Sequence, residues 1–281
     1  MNRYQLSILF IWLLIITACT SPPPAPPPAL DLQLLVATDD FAVGAPRVPF
    51  LIYSGPDRVA DAQAVTIFLY DLAVEPPELV WDGAAVSYGD YEVPYWVVFP
   101  ELSRAGYWGL GAEITLADGR QGVGQFVIEA LAQSLGPAVG APAPPSDNRT
   151  LRTEPDIARL TSDFTDPEPA LYQMTVAEAI DTGRPTVVTF TTPAFCATQI
   201  CAPVLNSVKA VWRQMADEAN FIHIEVYQEF EPLVLADEIG EWGLTSEPWT
   251  FVLDQQGMIT ARLGGPVSPR ELLAAVTGAR P

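Results

Sequence analysis

The chain is poor in the residues that most often carry chemistry. Of its 281 residues three are cysteine and one, His223, is histidine. A histidine-based metal centre needs several imidazoles at ligand spacing, so none is expected. His223 sits in the strand pattern 221–226, on one face with Phe221 and Glu225, and reads as a core or strand-edge residue satisfied by hydrogen bonds. Lysine occurs once, at Lys209, and all bases together number 14 against 34 acids, a formal net charge of -20. Such a field repels phosphate backbones, which excludes nucleic acid as an electrostatic partner. The acids are dispersed rather than blocked, the pattern of a solvated surface. No glycine-rich fingerprint follows a strand, so neither a nicotinamide nor a flavin site is expected, and no cofactor is predicted.

Long hydrophobic runs are also missing, apart from one at the N-terminus. Residues 6–16 are apolar behind a single basic residue, Arg3. That run is short for a membrane span and ends in small residues, the pattern of a cleaved signal segment over 1–18. Ile16-Thr17-Ala18-Cys19 resembles the lipobox of bacterial lipoproteins. The resemblance implies an acylated Cys19 and a mature chain tethered outside the cytoplasm, at the outer membrane if the cell has two, because Thr20 stands where aspartate would signal retention. Residues 21–28 are proline-dominated, unable to pair in a sheet or continue a helix, and complete an extended spacer over 19–29. With Cys19 assigned to lipid, only Cys196 and Cys201 remain. In an exported chain a disulfide between them is the default.

Over 30–135 the periodicity is that of short strands, at 30–36, 50–53, 64–70, 95–99, 111–117 and 124–129, with turn signals at Gly55-Pro56, Asp82-Gly83 and Asp118-Gly119. Short strands without amphipathic helices between them predict an antiparallel β-sandwich, and the pattern resembles a bacterial immunoglobulin-like module. Tyr88, Tyr91, Tyr95, Trp96, Tyr107 and Trp108 read as core and hairpin-end residues, the alternative being a binding face. Residues 136–169, proline-rich at their start, read as a linker between domains. Asn148-Arg149-Thr150 matches a glycosylation triplet that a bacterial lipobox makes incidental.

Over 170–281 strands and helices alternate. Thr175 with Glu178 is a capping box, and Ser268, Pro269 and Glu271 mark the start of a last helix. A buried-type strand at 186–190 precedes the cysteines, and a helix from about residue 202 to 218 follows them. Next come a strand at 221–226, a helix at 233–242, a hairpin at 250–253 and 258–262, and the final helix. This order resembles the thioredoxin fold. The resemblance rests on Thr189-Phe-Thr-Thr-Pro-Ala-Phe-Cys-Ala-Thr-Gln-Ile-Cys201 at the strand-to-helix junction and on Trp242-Gly-Leu-Thr-Ser-Glu-Pro-Trp249, and it implies a cis-proline at Pro248 facing the cysteines.

The spacing departs from that family, with four residues between the cysteines instead of two. On an ideal helix, positions i and i+5 lie about 8.7 Å apart, beyond disulfide reach. The pair can therefore meet only if residues 197–200 form a loop and the helix starts near Cys201, as Pro203 allows. The resemblance implies a protein thiol-disulfide oxidoreductase acting on a dithiol or disulfide of a partner protein. Cys196 would attack and Cys201 resolve, with Pro248 beneath and Phe195, Glu247 and Trp249 as docking residues. Neither loop contains a basic residue, an inward Glu247 would raise the thiol pKa, and the acid that thioredoxins bury in the strand before the motif has no match in residues 187–192. Two alternatives stand: a redox-inert envelope scaffold with a structural disulfide, and handling of Cu(I), disfavoured because copper-delivery proteins of this fold need a distal histidine and His223 lies on a strand with no ligand-spaced companion.

Overall fold

The computed structural model describes residues 29–280. The expected signal segment over 1–18, Cys19 and nearly all of the expected proline spacer lie outside the described residues.

The N-terminal region is β-rich. Its strands are β1 (Leu30–Asp31), β2 (Gln33–Val36), β3 (Phe41–Ala42), β4 (Val48–Ser54), β5 (Asp57–Arg58), β6 (Ala62–Asp71), β7 (Glu78–Ala84), β8 (Val86–Tyr88), β9 (Tyr95–Val98), β10 (Gly106–Leu116) and β11 (Gln121–Leu131). They form a first sheet, β1-β11-β10-β6-β7 with β3 on β11, and a second, β2-β4-β9-β8 with β5 on β4. Residues 30–36, expected as one strand, divide at buried Leu32: β1 joins the first sheet and β2 the second. The short strands β3 and β5 escaped the sequence reading because two residues show no alternation. β7 escaped because most of its side chains are exposed.

Period-two alternation explains where the core lies. From β10, Trp108, Leu110, Ala112, Ile114 and Leu116 point between the sheets, where they meet Phe50, Ile52, Trp96 and Val98. A sheet with one wet face would leave the alternate residues exposed, yet β9 is buried at every position and β4 at its first five. The reason is that Leu51, Tyr95 and Val97, on the other face of the second sheet, are covered by the C-terminal region.

That region is mixed α/β. It contains α1 (Val176–Asp181), β12 (Thr186–Thr191), α2 (Cys201–Met215), β13 (Asn220–Glu225), β14 (Tyr227–Phe230), β15 (Leu233–Leu235), α3 (Asp237–Glu241), β16 (Trp249–Leu253), β17 (Ile259–Gly264) and α4 (Pro269–Gly278). One sheet runs β13-β12-β16-β17, parallel between β12 and β13 and antiparallel elsewhere. Helices α2 and α4 pack on one face, α1 and α3 on the other. Both predicted helix starts carry their caps: Thr175 and Glu178 form the reciprocal box, and the Ser268 hydroxyl accepts from the Glu271 amide. The helix expected at 233–242 is corrected. Residues 233–235 pair instead with β14 as an exposed hairpin, and α3 covers only Asp237–Glu241. The apolar residues Leu233, Val234 and Leu235 suggested a buried helix face, but all three are exposed.

Residues 136–169 are packed rather than loose. Ala143 and Leu160 are buried, and Gly140 and Ala141 exchange backbone hydrogen bonds with Ile259. Asn148 is buried as well, its Oδ1 accepting from the Val176 amide at 2.8 Å.

Charged contacts fasten the two regions together. The Arg47 guanidinium donates to both Glu271 carboxylate oxygens at 2.7 and 2.8 Å and to the Gly264 and Pro266 carbonyls, and the Tyr95 hydroxyl donates to the same carboxylate. Asp40 pairs with Arg262 and accepts the Leu135 and Gly136 amides. Gly265 (φ 75°) permits the closest backbone approach, since a Cβ there would lie 2.4 Å from the Ala37 carbonyl oxygen.

Candidate thiol site

Strand β12 delivers the chain into a loop at residues 192–200, and α2 begins at Cys201. The helix start and the loop before it are where the spacing argument required them. Gln199 has φ 59°, in the left-handed region, and turns the loop back so that Cys196 lies over the first turn of α2. Ile200, at the N-cap, offers no side-chain cap. The Ile200 and Cys201 amides, at the open start of the helix, instead favour the charged form of the Cys196 sulfur. The two cysteines are not bonded to each other; Cys196 is half-buried and Cys201 fully buried. Their sulfurs and a Glu247 carboxylate oxygen all lie within 4.8 Å of one another.

The two thiols are polarised in opposite directions. Cys196 is pulled down to about 5, first by the hydrogen bond from the Cys201 thiol, then by the Thr198 hydroxyl at 3.2 Å and the two amides, against the opposing effect of burial. Cys201 is pushed far up by that same hydrogen bond, by burial and by the neighbouring Cys196 and Glu247 charges. The pair therefore holds one proton, on Cys201, and presents Cys196 as thiolate. Glu247 is itself pushed up by burial, by the Cys196 charge and by Asp39.

Pro248 follows a cis peptide, and its carbonyl accepts from the Gly265 amide at 2.9 Å. The loop before it is tied to the N-terminal region, Ser246 donating to Asp39 at 2.7 Å. Phe195 lies on an aromatic rim with Tyr227 and Phe230, their ring centroids 6.0 and 5.3 Å from its own, and Phe164 extends the rim. Trp249 needs correcting as a docking residue. It is 3% exposed, stacked on Phe251 and covered by the Arg262 guanidinium at 4.9 Å, because its register on β16 points it into the core.

His223 is a core residue. Its Nδ1 pairs with the Tyr172 hydroxyl at 2.6 Å and its Nε2 with the Thr191 hydroxyl at 2.8 Å, and burial holds it down to about 4, neutral. Among the described residues Cys196, Cys201 and Glu247 form a thiol–acid cluster whose ligand atoms lie close enough together to hold a metal ion. A cleft of about 410 Å³ between the regions is lined by Tyr91, Pro203, Ser207 and Arg270, with neither cysteine in its wall.

Two buried residues of the C-terminal region were not singled out from the sequence. Glu225, at the end of β13, is buried and pushed up by burial; one carboxylate oxygen accepts the Ser162 amide at 2.7 Å and the other has no partner. Attention to the strand before the cysteines passed over an acid on the adjacent strand. Ile200 read as a spacer residue, yet it is 4% exposed and packs against the N-terminal sheets.

No family model and no curated protein matches the chain. Among solved structures it is similar to a thiol:disulfide interchange protein of the thioredoxin family from Chlorobium tepidum TLS. That likeness has 18% identity, 38% of this chain and 85% of that one covered, and a TM-score of 0.31. It is also similar to CopC from Methylosinus trichosporium OB3b, at 18% identity, 35% and 92% coverage, and a TM-score of 0.26. Both likenesses are distant, and scores this low assign neither fold nor activity.

Proposed function

We propose that the C-terminal region is a thioredoxin-like domain and that the protein is a thiol-disulfide oxidoreductase of the bacterial envelope, tethered through a lipid on Cys19. The observation that carries this reading is the polarised pair: a half-open Cys196 held as thiolate with a buried Cys201 thiol in reach. A thiolate attacks; a buried thiol held protonated waits to resolve. In reduction of a partner disulfide, the Cys196 sulfur attacks one partner sulfur, displaces the other as a thiolate and forms a mixed disulfide. Cys201 then attacks the Cys196 sulfur, its proton passing to the departing partner sulfur. The Cys196–Cys201 bond forms, the partner leaves with both sulfurs reduced, and two electrons have moved. Oxidation of a partner dithiol is the same path reversed.

Nothing in this scheme needs a cation at the site. The hydrogen bonds from Cys201, Thr198 and the two amides replace one, and Phe195 with Tyr227 and Phe230 gives the partner chain an apolar rim. Pro248 and Glu247 would border the docked segment. The test is capture: Cys201→Ser, expressed in the native envelope, is expected to accumulate a partner as a mixed disulfide on Cys196, with Cys196→Ser as control. A folded Cys201→Ser protein that holds no partner would count against exchange and favour a scaffold with an inert pair. Alkylation by iodoacetamide should label Cys196 alone in the native state, with a pH midpoint near 5.

A further inference from the structure

The N-terminal sheets reach the thiols. Ile200 lies in one apolar cluster with Leu51, Tyr95 and Val97 on the outer face of the second sheet, and with Tyr91 and Val93 from the loop before β9. Cys196 packs against the same cluster. The loop residue before α2 therefore has two ends: its side chain packs into the N-terminal region, and its amide, at the N-cap of α2, favours the charged form of Cys196. The four-residue spacing makes this possible. A helix continuing back from Cys201 would carry Ile200 with it, whereas the left-handed turn at Gln199 frees Ile200 to reach the sheets. Asp39 on Ser246, and Arg47 on Glu271, hold the sheets against this side of the C-terminal region.

We propose that the N-terminal sheets are a working part of the thiol site: by gripping the Ile200 side chain they fix the start of α2, with its Ile200 and Cys201 amides, beside Cys196. Ile200 and, behind it, Val93 are positioning residues for the nucleophile. The physical basis is pre-organisation. An amide fixed toward an anion stabilises it through a charge-assisted hydrogen bond, whereas an amide on a loose loop turns to water and does so weakly. The other groups near Cys196 include no cation: Cys201 from α2, Thr198 from its own loop, Glu247 with Asp39 behind it, Tyr227 from the hairpin, and Tyr53 and Tyr88 from the second sheet. With no cation, hydrogen-bond donors make this cysteine acidic, the Cys201 thiol first, then the Thr198 hydroxyl and the two amides, and the amides are the donors that the grip on Ile200 would fix.

The inference takes its functional meaning from the exchange reading, but its measurement stands apart. Cys196 alkylation is followed against pH, by mass spectrometry, in the full mature chain and in Ile200→Ala, Val93→Ala and Leu69→Ala. Leu69 is buried between the two sheets and away from the cluster, and so reports general loosening of the N-terminal region. Ile200→Ala is expected to raise the alkylation midpoint by about one pH unit, a roughly tenfold loss of thiolate on the acid side. Val93→Ala should move it the same way by less, and Leu69→Ala should leave it in place. Should Ile200→Ala fail to fold, Ile200→Val with Val93→Ala carries the same comparison. Unmoved midpoints in the Ile200 and Val93 variants, or an equal shift in Leu69→Ala, would overturn the proposal. A shifted midpoint in a protein that traps no partner through Cys201→Ser would sustain it while removing the exchange reading.

Discussion

At Cys196 the environment works against itself. Burial and the nearby acids disfavour a thiolate, and four hydrogen-bond donors favour it; the donors prevail and leave the thiol acidic near pH 5. The sequence pointed to these two cysteines and warned of Glu247, but not to the donors, because two of them are backbone amides whose direction depends on one left-handed residue. The same limit explains Glu225, whose hydrogen-bond partner Ser162 lies 63 residues away in sequence. His223 gives a prediction at this scale. Its folded value near 4 lies below the ordinary 6.5, so the unfolded chain takes up the proton first. Its contribution to stability is complete above about pH 6.5 and is lost as pH falls toward 4, about 3 kcal/mol in all. Glu225, raised by burial, acts in the opposite sense as pH rises, so the comparison is made between wild type and His223→Gln. Urea unfolding at pH 7 and pH 4 should show the wild type losing about 3 kcal/mol more than the variant. Equal losses would mean that His223 does not stay neutral in the fold.

Elements with strong local signals were the most legible. The capped starts of α1 and α4 and the strand–loop–helix junction of β12 and α2 follow from residues within a few positions of each other. The hairpin β14–β15 was misread because Leu233, Val234 and Leu235 are apolar and exposed, which periodicity cannot distinguish from a buried helix face. Helix α4 carries a prediction that belongs to the element. Its Glu271 caps nothing outside the helix except the other region: its carboxylate accepts from Arg47 and Tyr95, all three nearly buried. Glu271→Gln leaves the Arg47 charge buried without its partner and should cost about 3–5 kcal/mol. Denaturant titration measures that loss, and a change below about 1 kcal/mol would show the pair to be solvated and weak.

Across the whole molecule the composition indicated an acidic, two-part chain, yet gave no sign that the parts are fastened. Burial on both faces of β9 needs a partner that no alternation pattern within 95–99 reveals, and Arg47 lies more than two hundred residues from Glu271. Tyr88, Tyr91 and Tyr95, read as candidates for the core of the N-terminal region, line the junction instead. The shared cluster around Ile200 joins the thiol loop to both regions, so wild type should unfold in one transition by circular dichroism and tryptophan fluorescence. Two separated transitions would show that the regions do not support each other. The central claim is that Cys196 and Cys201 exchange electrons with a partner, and its most direct measurement is their reduction potential, obtained by equilibration in glutathione buffers. Stabilising the thiolate favours the reduced pair, so the potential should fall in the range of catalytic exchangers, roughly -120 to -270 mV, toward its less negative end. A potential below about -300 mV, that of a structural disulfide, would contradict the account.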